Sequence, residues 1–162
     1  MGLETHTLTF NGRLLQRGFW LYVWEITLPT GETLYYVGRT GDSSSMNAQS
    51  PFNRMSQHLG FNRNSNLLRR RLKDRGIDAE NCTFRLVAHG PIVPEADSEG
   101  EHRQRRDCVA AMERALAEAL AEAGYEVLEP APCRSKLELQ LFASVRTAFA
   151  VEFPKLGKRR DA

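Results

Sequence analysis

What the 162-residue chain lacks narrows its class first. No stretch approaches the roughly 20 consecutive apolar residues that a bilayer span requires. The opening MGLETHTLTFNGRLLQ has no apolar signal core, so neither membrane insertion nor secretion by the general route is expected. Cysteine is scarce: Cys82, Cys108 and Cys133 are an odd set about 25 residues apart, which argues against both a disulfide framework and a zinc knuckle. The four histidines are scattered, and none stands at a metal-ligand spacing from a cysteine. A reducing, cytoplasmic setting is the simplest reading. The sequence also shows no internal repeat and no linker, and its length suits one domain, residues 1–162, better than two.

A strong overall charge is missing too, but the near-neutral total of +2 hides segregation. Residues 1–94 hold 11 Lys/Arg against 7 Asp/Glu, residues 95–129 hold 4 against 10, and residues 130–162 hold 7 against 3. Two basic regions flanking an acidic one are compatible with nucleic-acid binding on one face. The acidic stretch alternatively marks a surface for a protein partner.

What is present begins with two aromatic, β-branched runs, FWLYVWEI (19–26) and ETLYYVG (32–38), separated by a Pro-Thr-Gly turn signal. A three-residue loop Pro29-Thr30-Gly31, with Gly31 left-handed, pairs Leu28 with Glu32 and so Tyr22 with Gly38 and Trp24 with Tyr36. Tyr22 and Tyr36 then share one sheet face as diagonal neighbours, while Tyr35 faces the other way. A two-residue loop would put the two tyrosines on opposite faces.

After a polar loop (41–49), SPFNRMSQHLG has Ser50 as N-cap, Pro51 as first helical residue and Gly60 as the stop. Arg54 and His58, four apart, project from one face of that helix. A second short helix (64–76) turns Leu67, Leu68 and Leu72 inward and carries Arg69, Arg70, Arg71, Lys73 and Arg75 around them. This basic run is either a solvated face or, together with Arg63, a grip on backbone phosphates. CTFRLVAHG (82–90) reads as a third strand. A long helix follows, most regular over 108–123, and SKLE (135–138) predicts the cap of a last helix reaching about residue 153. The tail KLGKRRDA is basic.

On the long helix, Val109, Met112, Leu116, Leu120 and Ala123 define a buried stripe. Glu113 lies on its edge, whereas Glu118 and Glu122 are turned about 140° and 180° away and face solvent. A carboxylate held against the core needs a partner, because an unpaired buried charge is costly. A divalent metal is one such partner, and an arginine such as Arg54 is another.

The ordered set WLYV (20–23), YYVGRT (35–40), Arg54 with His58, and a helical glutamate resembles the GIY-YIG nuclease family over roughly residues 19–129. Trp20-Leu21-Tyr22 stands where that family has Gly-Ile-Tyr, and Tyr36-Val37-Gly38 where it has Tyr-Ile-Gly. The resemblance implies an α+β fold in which a small three-stranded antiparallel sheet is flanked by helices, with a C-terminal helix and basic tail (130–162) appended. It implies a Mg²⁺- or Mn²⁺-dependent endonuclease acting on DNA. Tyr22 would be general base or water-orienting residue, with Tyr36 as its hydrogen-bonding neighbour. Arg54 would stabilise phosphate charge, Arg39 and His58 would complete the site, and Glu113 would be the metal ligand. A phenol of ordinary pKa about 10 is a poor base at neutral pH unless a metal-bound water or nearby cations favour the phenolate. The family often carries an asparagine after the glutamate helix, where this chain has Glu129 within GYEVLEPAP. No reader domain is visible, so target recognition falls to the loop 41–49, to dimerisation or to a partner protein. The reading from another class is a module that binds nucleic acid without cutting it.

Overall fold

The computed structural model describes residues 2–42 and 45–158. Three antiparallel strands, β1 (Phe19–Thr27), β2 (Thr33–Arg39) and β3 (Thr83–Val93), form one open sheet in the order β2-β1-β3. Four α-helices flank it: α1 (Pro51–Leu59), α2 (Leu67–Asp74), α3 (Glu99–Glu122) and α4 (Leu139–Glu152). The expected α+β class is therefore borne out. No helix among the described residues is long and apolar enough to cross a membrane.

The hairpin has the register that its loop chemistry dictates. Gly31 adopts φ +89°, Leu28 N–H donates to Glu32 O at 2.8 Å, and Tyr22 pairs with Gly38 and Trp24 with Tyr36. Alternation then sorts the side chains. Phe19, Leu21, Val23 and Val37 face one core with Val109, Met112, Leu116 and Leu120 of α3 and with Val145 and Phe149 of α4. Tyr22, Trp24, Ile26, Leu34 and Tyr36 face the other, against Leu68 and Leu72 of α2. Because β1 is the central strand, both faces of its middle are covered, which explains its nearly continuous apolar run.

The helices begin where their caps say. Ser50 Oγ accepts from Asn53 N–H and Pro51 opens α1; Gly60 ends it, where a Cβ would stand 2.5 Å from Ser56 O. Ser98 Oγ accepts from Glu101 N–H, and Glu99 and Glu101 lie in the first turn of α3, favourable beside the positive end of the helix. α3 is longer than its regular part suggested, and β3 runs through Pro91 to Val93 rather than stopping at Gly90.

Two features depart from the local signals. Ser135 does not cap α4; the chain stays non-helical until Leu139, with Glu138 at the cap and no side-chain bond there. Leu137 packs against the α3-side core from this segment, so tertiary burial outranks the capping-box pattern. Tyr35 also exchanges backbone bonds with the segment after α3, accepting from Leu128 N–H at 2.8 Å and donating to Glu126 O at 2.9 Å. This bridge covers the outer edge of β2 and brings residues 130–131 towards the sheet. The loop 41–49 is described apart from residues 43–44, and the basic tail as far as Lys158; residues 159–162 lie outside the described residues.

Candidate active site

A pocket of about 270 Å³ opens where the C-terminal end of β2 meets α1, α2 and α3. Tyr22 comes from the central strand, Tyr36, Gly38 and Arg39 from the edge strand, and Asp42 from the turn that follows. Arg54 and His58 come from one face of α1, Arg70 and Arg71 from α2, and Glu113 from α3. All six residues expected to be catalytic or metal-binding line this one cavity.

Tyr22 is 2% exposed and its ring lies against Gly38, its cross-strand partner. A Cβ on residue 38 would stand 2.4–2.6 Å from the Tyr22 ring and hydroxyl, so only glycine permits this approach. Here the glycine is required for space and not for an unusual backbone angle. The phenol stands 3.2 Å from His58 Nε2 and 3.5 Å from Arg39 O. His58 therefore takes the place expected for Tyr36 as hydrogen-bonding neighbour. Tyr36 instead packs its ring 5.6 Å from the imidazole and lies 5.9 Å from the Arg71 guanidinium.

Electrostatics follow from burial. Desolvation drives the Tyr22 hydroxyl well above the ordinary phenol range, and the Arg54 guanidinium only partly offsets this. Tyr36 is pushed up to about 12, by burial and then by the Glu113 carboxylate. His58 is pushed down to about 4, by burial and then by Arg54. At neutral pH the pair is thus a neutral phenol beside a neutral imidazole, and not a phenolate stabilised by cations. A neutral His58 allows two arrangements: the Tyr22 hydroxyl donates to Nε2 with the ring proton on Nδ1, or Nε2–H donates to the phenol oxygen while the hydroxyl donates to Arg39 O. In the first arrangement the phenol accepts a proton on its oxygen only as it passes its own to the imidazole.

Glu113 sits at the edge of the α3 stripe, as its helical position requires, with 15% of its side chain exposed. Burial raises its carboxyl above the usual range while Arg39 pulls it down, through charge and a 2.8 Å bond from Arg39 Nε to Glu113 Oε2. Arg39, not Arg54, is its partner. Arg54 belongs to a second pair: Nη2 donates to Asp42 Oδ2 at 2.8 Å and Nη1 to Gln57 Oε1 at 2.9 Å. Two of the four arginines that line the cavity are therefore each paired with a carboxylate, and Arg70 and Arg71 leave it with an excess of positive charge.

Among the described residues no three His, Cys, Asp or Glu side chains gather into a metal cage. A single inward carboxylate nevertheless suits Mg²⁺, which keeps several waters and completes its shell with substrate phosphate oxygens. Glu113 is the inward carboxylate that could hold such an ion, and its Oε2 is taken here by Arg39 Nε at 2.8 Å.

The basic residues of the α2 region divide into groups. Arg70 and Arg71 line the pocket. Arg63 and Lys73 are exposed and do not line it. Arg69 is committed to the fold: it donates to Leu59 O at 2.7 Å and to Glu80 at 2.5 Å, with its guanidinium 4.6 Å from the Phe61 ring. Arg75 stands 3.7 Å from Glu126. Glu129 is exposed and does not line the pocket; Pro130 and Ala131 do. Sequence reasoning missed Asp42 and Gln57. The signal for Gln57 was its position three residues after Arg54 on the same helix face. Asp42 read only as a turn residue.

Comparison with family models, with curated proteins and with solved structures gave no match to this chain. The functional reading accordingly rests on the geometry of the pocket and on the motif resemblance.

Proposed function

We propose that the chain is a metal-dependent endonuclease that hydrolyses phosphodiester bonds in DNA. The observation that supports this most is the convergence of Tyr22, Tyr36, Arg39, Arg54, His58 and Glu113 on one pocket from four separate elements. Hydrolysis needs a deprotonated water, positive charge against the developing phosphorane and help for the departing oxygen. This pocket offers a group for each of the first two needs, and a metal ion held by Glu113 would serve the third.

Arg54 presents a planar fork to the phosphate. A water between the scissile phosphorus and Tyr22 attacks as its proton passes to the phenol oxygen and the phenol proton passes to His58 Nε2. The new P–O bond forms, the bond to the sugar oxygen breaks, and that oxygen takes up a proton from solvent water, while His58 returns its proton to solvent. A phosphate seated on Arg54 also cancels part of the positive field that depresses His58, making the imidazole a better base when substrate is present. Glu113 would hold Mg²⁺ (or Mn²⁺), whose charge stabilises the phosphorane and the leaving oxygen. Arg70 and Arg71 extend positive charge from the pocket along α2, where Lys73 and Arg63 add to it.

The test is cleavage of duplex, branched and single-stranded DNA, with RNA alongside, by purified protein in Mg²⁺ or Mn²⁺. Cutting is expected, and it should disappear in Tyr22→Phe, Arg54→Ala and Glu113→Ala proteins that remain folded. Intact substrates throughout the panel would remove the enzyme reading. DNA binding that survives in that case would favour the non-cutting module, a reading supported by the closed Arg39–Glu113 and Arg54–Asp42 pairs.

A further inference from the structure

We propose that Asp42 is a built-in stand-in for the substrate phosphate, holding the Arg54 fork in the resting protein and leaving it when a phosphodiester binds. The inference rests on the reading of Arg54 as the phosphate-binding residue, and it adds a residue that sets how tightly the site takes its substrate.

The guanidinium of Arg54 has two usable sides. One is fixed: Nη1 donates to Gln57 Oε1 at 2.9 Å, within the same helix. The other is the parallel pair Nε and Nη2, the side that grips an oxyanion with two bonds at once. Asp42 Oδ2 takes Nη2 at 2.8 Å, while Nε is buried and has no partner. The fork therefore carries a carboxylate on one tine only. A phosphate with two free oxygens would occupy both and give the buried Nε its missing acceptor.

The position of Asp42 fits this role. It stands three residues beyond Arg39, just past the end of β2, and its side chain is 36% exposed against 16% for Arg54. It can therefore swing to solvent while the arginine stays anchored by α1 and Gln57. Its negative field reaches Tyr22, Tyr36 and Glu113, each of whose hydroxyl or carboxyl it pushes upward. With Asp42 in place both Arg39 and Arg54 are paired with carboxylates, so an incoming phosphate meets the positive charge of Arg70 and Arg71 at the pocket wall but no free charge at the Arg54 fork. With Asp42 displaced, one positive charge opens at the base of the pocket. The carboxylate thus suppresses capture of adventitious anions and raises the threshold for DNA.

The experiment compares wild-type protein with Asp42→Asn and Asp42→Ala for binding to a fluorophore-labelled DNA duplex, by anisotropy in EDTA over a range of salt. The expected result is tighter binding in both variants, by about 2- to 5-fold at low salt, as for removal of one partly exposed competing charge. The slope of log Kd against log salt should steepen by about one. The gain should vanish when Arg54→Ala is added to either variant, since the competitor acts only through that fork. Unchanged or weaker binding in both variants overturns the proposal, as does a gain that persists without Arg54. In a parallel series with Mg²⁺ in place of EDTA, weaker binding by both variants would make Asp42 a metal ligand and overturn the proposal equally. The readout needs no cleavage, so a protein that binds as expected but never cuts rejects the nuclease reading and leaves this one standing. Failure of every variant to bind DNA rejects both.

Discussion

Acid should destabilise this protein through His58, by an amount set by its burial. An unfolded-state imidazole titrates near its ordinary value of 6.5, whereas in the fold burial holds His58 down to about 4. The group is depressed, so it adds stability above its unfolded pKa, and that contribution is lost as pH falls from 6.5 through 4, where only the unfolded chain binds the proton. Integrating the difference gives a loss of about 2 kcal/mol at pH 5 and about 3 kcal/mol at pH 4, relative to pH 7. Glu113 opposes this trend, since its raised carboxyl favours the folded state at low pH and loses that contribution as pH rises through its folded pKa. The measurement must therefore be a difference: urea midpoints of wild type and His58→Gln, which keeps a hydrogen-bonding side chain beside Tyr22 but cannot titrate. The wild type should lose about 2 kcal/mol more than the variant between pH 7 and pH 5. Parallel curves would refute the reasoning, because they would mean the imidazole is not held neutral. An NMR titration of the His58 ring in the folded protein gives the same answer directly, and a midpoint near 6.5 would contradict it.

Other expectations concern space, charge and the division of the arginines. Gly38→Ala places a methyl within 2.4–2.6 Å of Tyr22, so it should cost about 1–3 kcal/mol in thermal unfolding and displace the phenol from His58, with cleavage falling in parallel. Glu113→Gln should lower cleavage by at least about 100-fold and weaken Mg²⁺ binding in calorimetry, while Arg39 loses its charged partner. Arg69→Ala should lower stability by about 1 kcal/mol through the lost bonds to Leu59 O and Glu80, with little change in the salt slope of DNA binding. Arg70→Ala and Arg71→Ala should do the reverse, leaving the unfolding midpoint near wild type and reducing that slope by about one each.

Much of the site was legible where one element determines the answer. The loop Pro29-Thr30-Gly31 alone sets the hairpin register, and with it the shared face of Tyr22 and Tyr36 and the pairing of Tyr22 with Gly38. Helical repeat places Arg54 with His58, and puts Glu113 at the edge of the stripe that runs through Val109 and Leu116. Such readings succeed because turn geometry and a period of 3.6 or 2 residues act within a single segment.

Partner choice was not legible, because it depends on where elements meet that have no set separation along the chain. The sequence offered Glu113 an arginine and named Arg54, but packing of α3 against the end of β2 delivers Arg39, 74 residues away. Tyr36 was the natural neighbour for Tyr22 within the hairpin, yet α1 brings His58 to the hydroxyl from outside the sheet. Arg69 and Arg70 are adjacent in sequence and similar in composition; the turn of α2 sends one to Glu80 and the other to the pocket. Composition and periodicity by themselves determined which residues could carry chemistry and on which face each lies. Only the tertiary structure decided which charges meet, since a guanidinium takes whichever carboxylate the packing of two distant elements brings within about 3 Å.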